Sequence, residues 1–219
     1  MRGRRTAGMA QPRILILGAP GAGKGTQSAN ITEEFDVEHV TTGDALRSNK
    51  EMDISDLDTE YDTPGEYMDR GELVPDEVVN AIVDEALSQA GGFVLDGYPR
   101  NVDQAEELED MTDLDVVLYL EVSDEELINR LTGRRLDPET GDIYHLEYNP
   151  PEDPEVEERL VQRDDDTEET VKERLRVFEE NTQPVIEFYD DRGVLERVDG
   201  EQAPADVWED VKETIEEAA

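Results

Sequence analysis

Apolar residues gather in five short blocks, at 13–17, 37–40, 92–95, 115–121 and 194–198. The blocks are apolar on both faces, as the strands of a parallel sheet covered on both sides must be. Between them apolar positions recur every three or four residues, which predicts helices over 23–34, 76–90, 102–109, 123–132, 167–190 and 204–218. Asp76, Ser123 and Asp206 stand near three helix starts, where a side-chain oxygen can satisfy free amides. The alternation predicts an α/β fold, a doubly wound parallel sheet of five strands flanked by helices. Two stretches break the rhythm. Residues 48–71 are polar and helix-like with no strand, and 133–166 are rich in Pro, Gly and Asp and too long for a plain loop. Both read as insertions into the core.

The length, 219 residues, suits one such domain. No run approaches the roughly 20 apolar residues of a membrane span. The first eight residues, MRGRRTAG, are basic with no apolar run behind them, unlike a secretory signal. A second methionine, Met9, precedes the first strand, and residues 1–12 read as a disordered extension. There is no cysteine, which excludes disulfides and thiolate metal sites and points to the cytoplasm.

Charge changes the picture more. Asp and Glu number 59 against 20 Lys and Arg, a net −39. Such a chain could be disordered, or an acidic interaction protein, but its apolar blocks are periodic and punctuated by glycine and proline. The reading that fits is a folded protein of a very salty cytoplasm, where repulsion is screened and a carboxylate surface keeps it soluble. Excess acid argues against nucleic acid as a partner.

Directly after the first apolar block comes GAPGAGKGTQ, residues 18–27. It follows the phosphate-loop pattern G-x-x-x-x-G-K-[ST] at Gly18, Gly23 and Lys24, but Gly25 stands where the hydroxyl belongs and Thr26 supplies one a residue later. A glycine-rich turn from strand to helix aims amide N–H groups, and the positive end of the helix, at one point. Gly18, Gly21, Gly23 and Gly25 admit a phosphate closely, and Lys24 adds a point charge. The displaced hydroxyl is tolerable if Mg²⁺ is held by water and by the nucleotide's own phosphates.

This loop resembles that of adenylate kinases. So do, in order, TTGDALR (41–47), GELVPDEVV (71–79), LDGYPRNVDQA (95–105), LTGRR (131–135), GDIYHLEYNPP (141–151), QRDDDTEETVKERL (162–175) and VDG (198–200). The resemblance implies the reaction ATP + AMP ⇌ 2 ADP with Mg²⁺, a P-loop core over 13–219, an AMP-binding flap over 41–74 and a lid over 133–166. A monomer is expected. Another nucleoside monophosphate kinase, or a P-loop protein that senses ATP without turnover, are the alternatives.

Residue by residue, the resemblance assigns catalysis to Lys24, Arg100, Arg134, Arg163 and Arg174. Arginine suits the task, because its planar fork pairs bidentately with phosphate. Gly21, Ala22, Gly23, Lys24, Gly25 and Thr26 would hold the ATP phosphates, with Arg130, Arg134, Ile143, Tyr144 and Gln202 around the rest of ATP. Thr42, Arg47, Glu72, Leu73, Val74 and Gly97 would bind AMP, together with Tyr98, Pro99, Arg100, Gln104, Arg163 and Arg174. Gln104 would pair with the adenine edge. No direct metal ligand is implied, though Asp96 would orient water around Mg²⁺. Glu72 and Gln202 stand where many relatives carry lysine. Some lids of this kind bind zinc. Here Asp137, Thr140 and the acidic stretch 153–158 occupy those places, a poor donor set for zinc. No structural zinc is expected, and polar hydrogen bonds should hold the lid. His145 reads as a hydrogen-bonded lid residue or a nucleotide neighbour. Arg135, Arg159 and Arg176 read as partners of surface acids.

The net charge of −39 makes a prediction. A domain is stable by only about 5–15 kcal/mol, so summed carboxylate repulsion competes with folding in dilute buffer. Structure should be lost below roughly 0.5 M KCl and regained above about 1–2 M, where the Debye length is about 3 Å or less. Replacing the helix acids Glu169, Glu173, Glu209 and Glu213 with lysine should lower the salt requirement. Melting temperature against KCl for both proteins checks it, and coincident curves would refute the electrostatic cause.

Overall fold

The computed structural model describes residues 11–70 and 72–218. Residues 11 and 12, assigned above to the extension, already belong to the folded body: Pro12 is buried and its carbonyl accepts the Phe93 amide. The rest of the extension, 1–10, lies outside the described residues.

Five strands form one parallel sheet: β1 Arg13–Leu17, β2 Glu38–Thr41, β3 Phe93–Asp96, β4 Val116–Glu121 and, after the lid, β7 Leu195–Asp199. Their order is β2-β3-β1-β4-β7. Ten helices are described: α1 Lys24–Phe35, α2 Thr42–Ser48, α3 Pro64–Arg70, α4 Asp76–Gln89, α5 Val102–Met111, α6 Asp124–Gly133, α7 Pro154–Arg159, α8 Glu168–Asn181, α9 Gln183–Asp191 and α10 Pro204–Ala218. The two-residue period of a strand sends neighbouring side chains to opposite faces. Ile14 and Ile16 of β1 pack with α1, α6, α8 and α10. Leu15 and Leu17 pack with α4, α5 and α9 on the other face. Each fully buried side chain of this size stabilises the fold by about 1.5–3 kcal/mol. This two-sided burial fixes the carboxyl ends of β1 and β3 side by side, Ile16 opposite Asp96. The loops after these two strands lead to opposite sides of the sheet, the arrangement that opens a ligand crevice in such folds.

The long helix expected over 167–190 is two helices, α8 and α9. Pro184 lies in the first turn of α9, where its missing N–H costs nothing, and it prevents a continuous hydrogen-bond ladder through Thr182. The 48–71 insertion is helical only at its end, in α3. Before that, short polar side chains bond their own backbone: Asp53 Oδ1 accepts from the Ser55 amide at 3.0 Å, and Glu66 accepts from the amides of Asp62 and Thr63. Such local bonds compete with helix. The flap has a small core of its own, Ala45, Ile54 and Tyr67 against Val78 and Ile82 of α4. The expected caps also differ. Ser123 makes no side-chain cap bond, Asp206 lies within the first turn of α10, and Pro75 caps α4. Asp76 turns its carboxylate elsewhere, as described below.

The lid begins with an antiparallel ribbon of β5 Arg134–Leu136 and β6 Ile143–His145. It returns through α7, and Leu136 bridges to Val161. Asp137 is completely buried within it. The Asp137 carboxylate accepts from Arg159 Nε at 2.8 Å and Nη2 at 2.7 Å, and from the Glu139 amide at 2.9 Å. Arg159 thus pairs with the exposed acid Glu139, its Nε 3.5 Å from Oε2, and beyond that reading it is also half of the ion pair with buried Asp137. Arg135 bonds the carbonyls of Thr132 and Arg134 instead of an acid. Arg176 does pair with the exposed acids Glu173 and Glu180. Glu173 is thus a paired acid, and unpaired Glu179 is the better target for the lysine variant.

The Arg159 hydrogen bonds hold the Asp137 carboxyl below the usual aspartate range. A carboxyl depressed in this way contributes stability that is complete above its unfolded value of 3.8 and is lost as pH falls through the lower folded value. Loosening of the lid by acid should therefore begin only below pH 3.8 and grow as pH falls further. Asp137→Asn leaves the half-buried Arg159 guanidinium without its carboxylate and should speed hydrogen exchange and proteolysis over 134–161 while the sheet stays protected. Unchanged exchange there would show that the pair does not hold the lid.

Candidate functional site

The site is built on the loop between β1 and α1. Gly21 and Gly23 have φ of +89° and +97°, a left-handed backbone that only glycine adopts freely. A Cβ on Gly21 would also stand 2.9 Å from Leu131 Cγ. At Gly25 a Cβ would meet nothing within 4 Å, so the protein's own packing does not require glycine there. Lys24 curls back along the loop, donating to the carbonyls of Gly18 at 2.8 Å and Ala19 at 3.3 Å. Burial lowers its pKa. Asp96 opposes that shift, and the nearby cations of Arg174 and Arg100 reinforce it.

Three cavities meet at this loop. A central one is lined by the loop glycines, Lys24, Thr26, Asp96, Gly97, Arg130, Arg134 and Arg174. On one side, a cavity of about 460 Å³ runs between the loop, Arg130, His145, Tyr148 and the 200–204 turn. On the other, a cavity of about 380 Å³ lies between Lys24, Gly97 to Arg100, Arg174, Phe178 and Thr182. Lys24 thus lines both the central cavity, with Arg130, Arg134 and Arg174, and the one of about 380 Å³, with Arg100 and Arg174.

The family model for adenylate kinase matches residues 16–194. The chain belongs to the adenylate kinase family. It is 65% identical over 210 residues to the adenylate kinase of Natronomonas pharaonis, covering 96% of this chain and all of that one. It is 63% identical to that of Haloarcula marismortui, over 95% and 98% of the two chains. To that of a Thermoanaerobacter species it is 46% identical, over 93% and 97%. The first two organisms are halophilic archaea, in agreement with the salt reading of the composition.

Several residues named from this kinase's sequence come together around Lys24: the glycine loop, Thr26, Asp96, Gly97, Arg100, Arg130, Arg134 and Arg174. Gln202 lines the larger side cavity and donates to Asp210 Oδ2 at 2.7 Å. Thr42 is buried and donates to the Gly97 carbonyl at 2.9 Å. Gln104 is buried, with its amide engaged at both ends. His39 Nε2 stands 3.7 Å from Asp96 Oδ2.

Others stay apart. Arg47 is exposed on α2 and pairs with Asp44. Arg163 is exposed and lines none of the three cavities. Glu72 accepts from the Tyr61 hydroxyl at 3.3 Å, Val74 packs on the flap core, and Leu73 is 93% exposed. Ile143 and Tyr144 line none of the cavities: strand alternation turns Tyr144 away from the face on which His145 meets the loop, and Ile143, on that same face, is exposed farther out. His145 Nδ1 accepts the amides of Glu147 and Tyr148, and its ring stacks on Tyr148 with centroids 4.4 Å apart. The reading of His145 as a hydrogen-bonded lid residue therefore describes it, and the ring also lines the cavity of about 460 Å³. Tyr148 and Asp166 were missed. Tyr148 lines the larger cavity, and fully buried Asp166 accepts from Arg134 Nε at 2.8 Å. Gly133, where a Cβ would stand 2.3 Å from His145, was the signal for a ring packed against the helix end.

Lys24 is a cation held in a desolvated place next to other cations, so the nucleotide-free protein gains little from its charge. Lys24→Met should leave the melting temperature without nucleotide unchanged or higher, and abolish the rise that ATP produces in the wild type. Calorimetry in molar KCl with and without ATP checks both halves.

Proposed function

We propose that the two side cavities bind the two nucleotides of ATP + AMP ⇌ 2 ADP, with transfer across the central cavity over Lys24. The observation that carries this reading is the gathering of Lys24, Arg100, Arg130, Arg134 and Arg174 about one point in a chain of net charge −39. Phosphoryl transfer asks a protein for alignment and for positive charge around the moving group.

In this reading the larger cavity takes ATP, its adenosine between Arg130, the His145–Tyr148 stack and the 200–204 turn. The amides of residues 21–26 and Lys24 hold its phosphates, and the open space beside Gly25 lets them approach. AMP enters the smaller cavity, its phosphate facing Arg100 and Arg174. Thr42, Arg47, Gln104 and residues 72–74 of the flap close over its base and sugar. Arg163 joins when the lid moves toward the core. The Asp96 carboxylate and Thr26 hydroxyl at the central cavity are hard oxygen donors, few in number, which fits Mg²⁺ retained largely by water and phosphate. When bound, Mg²⁺ would neutralise charge on the ATP phosphates, and Asp96 would orient its water. Both nucleotide cavities lie within one chain, so a monomer suffices.

A sensor of ATP without turnover would not need the second cavity or its two arginines. Formation of ADP from ATP plus AMP, measured at low and molar salt, separates the two readings. Arg100→Ala should lower kcat/KM for AMP by about 30- to 1,000-fold, the scale of about 2–4 kcal/mol for one lost electrostatic donor. A folded variant with wild-type kcat/KM would remove Arg100 from this role.

A further inference from the structure

Asp76 opens α4, the helix that follows the flap, and its two carboxylate oxygens are both engaged. Oδ2 accepts from Asn101 Nδ2 at 3.0 Å, and Oδ1 accepts from Gln104 Nε2 at 3.0 Å. The other end of the Gln104 amide, Oε1, accepts from the Arg100 backbone N–H at 2.8 Å. Gln104 itself is 4% exposed. We propose that Asp76 is a positioning residue that selects adenine, by fixing which end of the Gln104 amide is donor and which acceptor. The proposal rests on the reading that Gln104 faces the base of AMP.

The argument is one of hydrogen-bond grammar. A primary amide has two N–H donors on nitrogen and two lone pairs on oxygen, and its two ends have nearly the same shape. Rotation by half a turn about the last side-chain bond exchanges them. Left free, Gln104 could present donor and acceptor in either order. Here the choice is forced from both sides: a carboxylate only accepts, so nitrogen must face Asp76, and a backbone N–H only donates, so oxygen must face Arg100. One N–H and one lone pair remain, side by side in a fixed order. Adenine offers a donor, its 6-amino group, next to a ring-nitrogen acceptor, and an amide in the right order meets both. Hypoxanthine has almost the same outline but carries an acceptor oxygen at position 6. Against the fixed amide it leaves buried polar groups unpaired, which is where strong discrimination comes from.

Asn101 strengthens the lock. Its Oδ1 accepts the Gln104 backbone N–H at 2.8 Å to cap α5, so its nitrogen must point to Asp76. Asp76→Asn would therefore do more than weaken a bond. The new amide must turn its oxygen to Asn101 and its nitrogen to Gln104, which favours the flipped Gln104 and sets it against the Arg100 N–H. Asp76→Ala removes the anchor without reversing it. Asp76 is exposed, so neither change opens a cavity in the core.

The test is kcat/KM for AMP and for IMP, with ATP as donor, in the folded chain in molar KCl. The AMP/IMP ratio should fall about tenfold in Asp76→Asn, on the scale of one satisfied hydrogen bond turned to an unsatisfied one. It should fall less in Asp76→Ala. The change should lie in KM for the monophosphate, with KM for ATP and the melting temperature near wild type. An unchanged ratio in both variants, or an equal loss with both nucleotides, overturns the proposal. Gln104→Ala separates the levels. If it collapses the ratio while the Asp76 variants do not, only the anchoring fails. If it leaves the ratio intact, Gln104 does not face the base and the reading of the AMP site fails with it.

Discussion

Desolvation of the Lys24 ammonium is the constraint on which the site depends. The energy of holding this half-buried cation out of water, with Arg100 and Arg174 nearby adding a smaller repulsion, must be met by the rest of the fold. The two-sided burial of β1 and β3 supplies the rigid base. Asp96, at the end of β3, is the carboxylate whose attraction opposes the desolvation of Lys24. Further out, each of several arginines rests on an acid: Arg130 on Glu126, Arg134 on buried Asp166, Arg47 on Asp44. These pairs hold the cations in place while no phosphate is present. Under the proposed function a nucleotide would compete for them, its charge exchanged against carboxylates already there.

The same electrostatics act with opposite sign on the surface. There carboxylates outnumber cations, and screening by salt, not pairing, is what relieves the repulsion. Inside the lid screening would not work. A carboxylate as deeply buried as Asp137 cannot be screened by ions it never meets, so it carries its own guanidinium. Surface, lid and site thus handle charge in three ways, and each way follows from how much water reaches the group.

Much of this was legible in the sequence, for physical reasons. Parallel strands buried on both faces write themselves as short apolar runs, as β1, β3 and β4 do; the edge strands β2 and β7 are mostly exposed, yet all five appeared within about one or two residues of their place. The glycine loop announced itself because left-handed turns and close approach admit few other residues. The arginines of the site stood out against an acidic chain. What the pattern could not show was direction and partnership. The one-residue turn that brings His145 rather than Tyr144 to the cavity is decided by strand pairing with Arg134 to Leu136. The break between α8 and α9 needed the position of Pro184 to be weighed against an otherwise continuous helical period. Asp137 and Arg159, or Asp76 and Gln104, are 22 and 28 residues apart, and nothing local marks them as a pair. The sequence by itself determined the layers, the loop and the chemistry of its residues, because those depend on neighbours within a few positions. The tertiary structure alone decided which acid each arginine holds and which way each amide faces, because those bonds form between chain segments that only folding brings together.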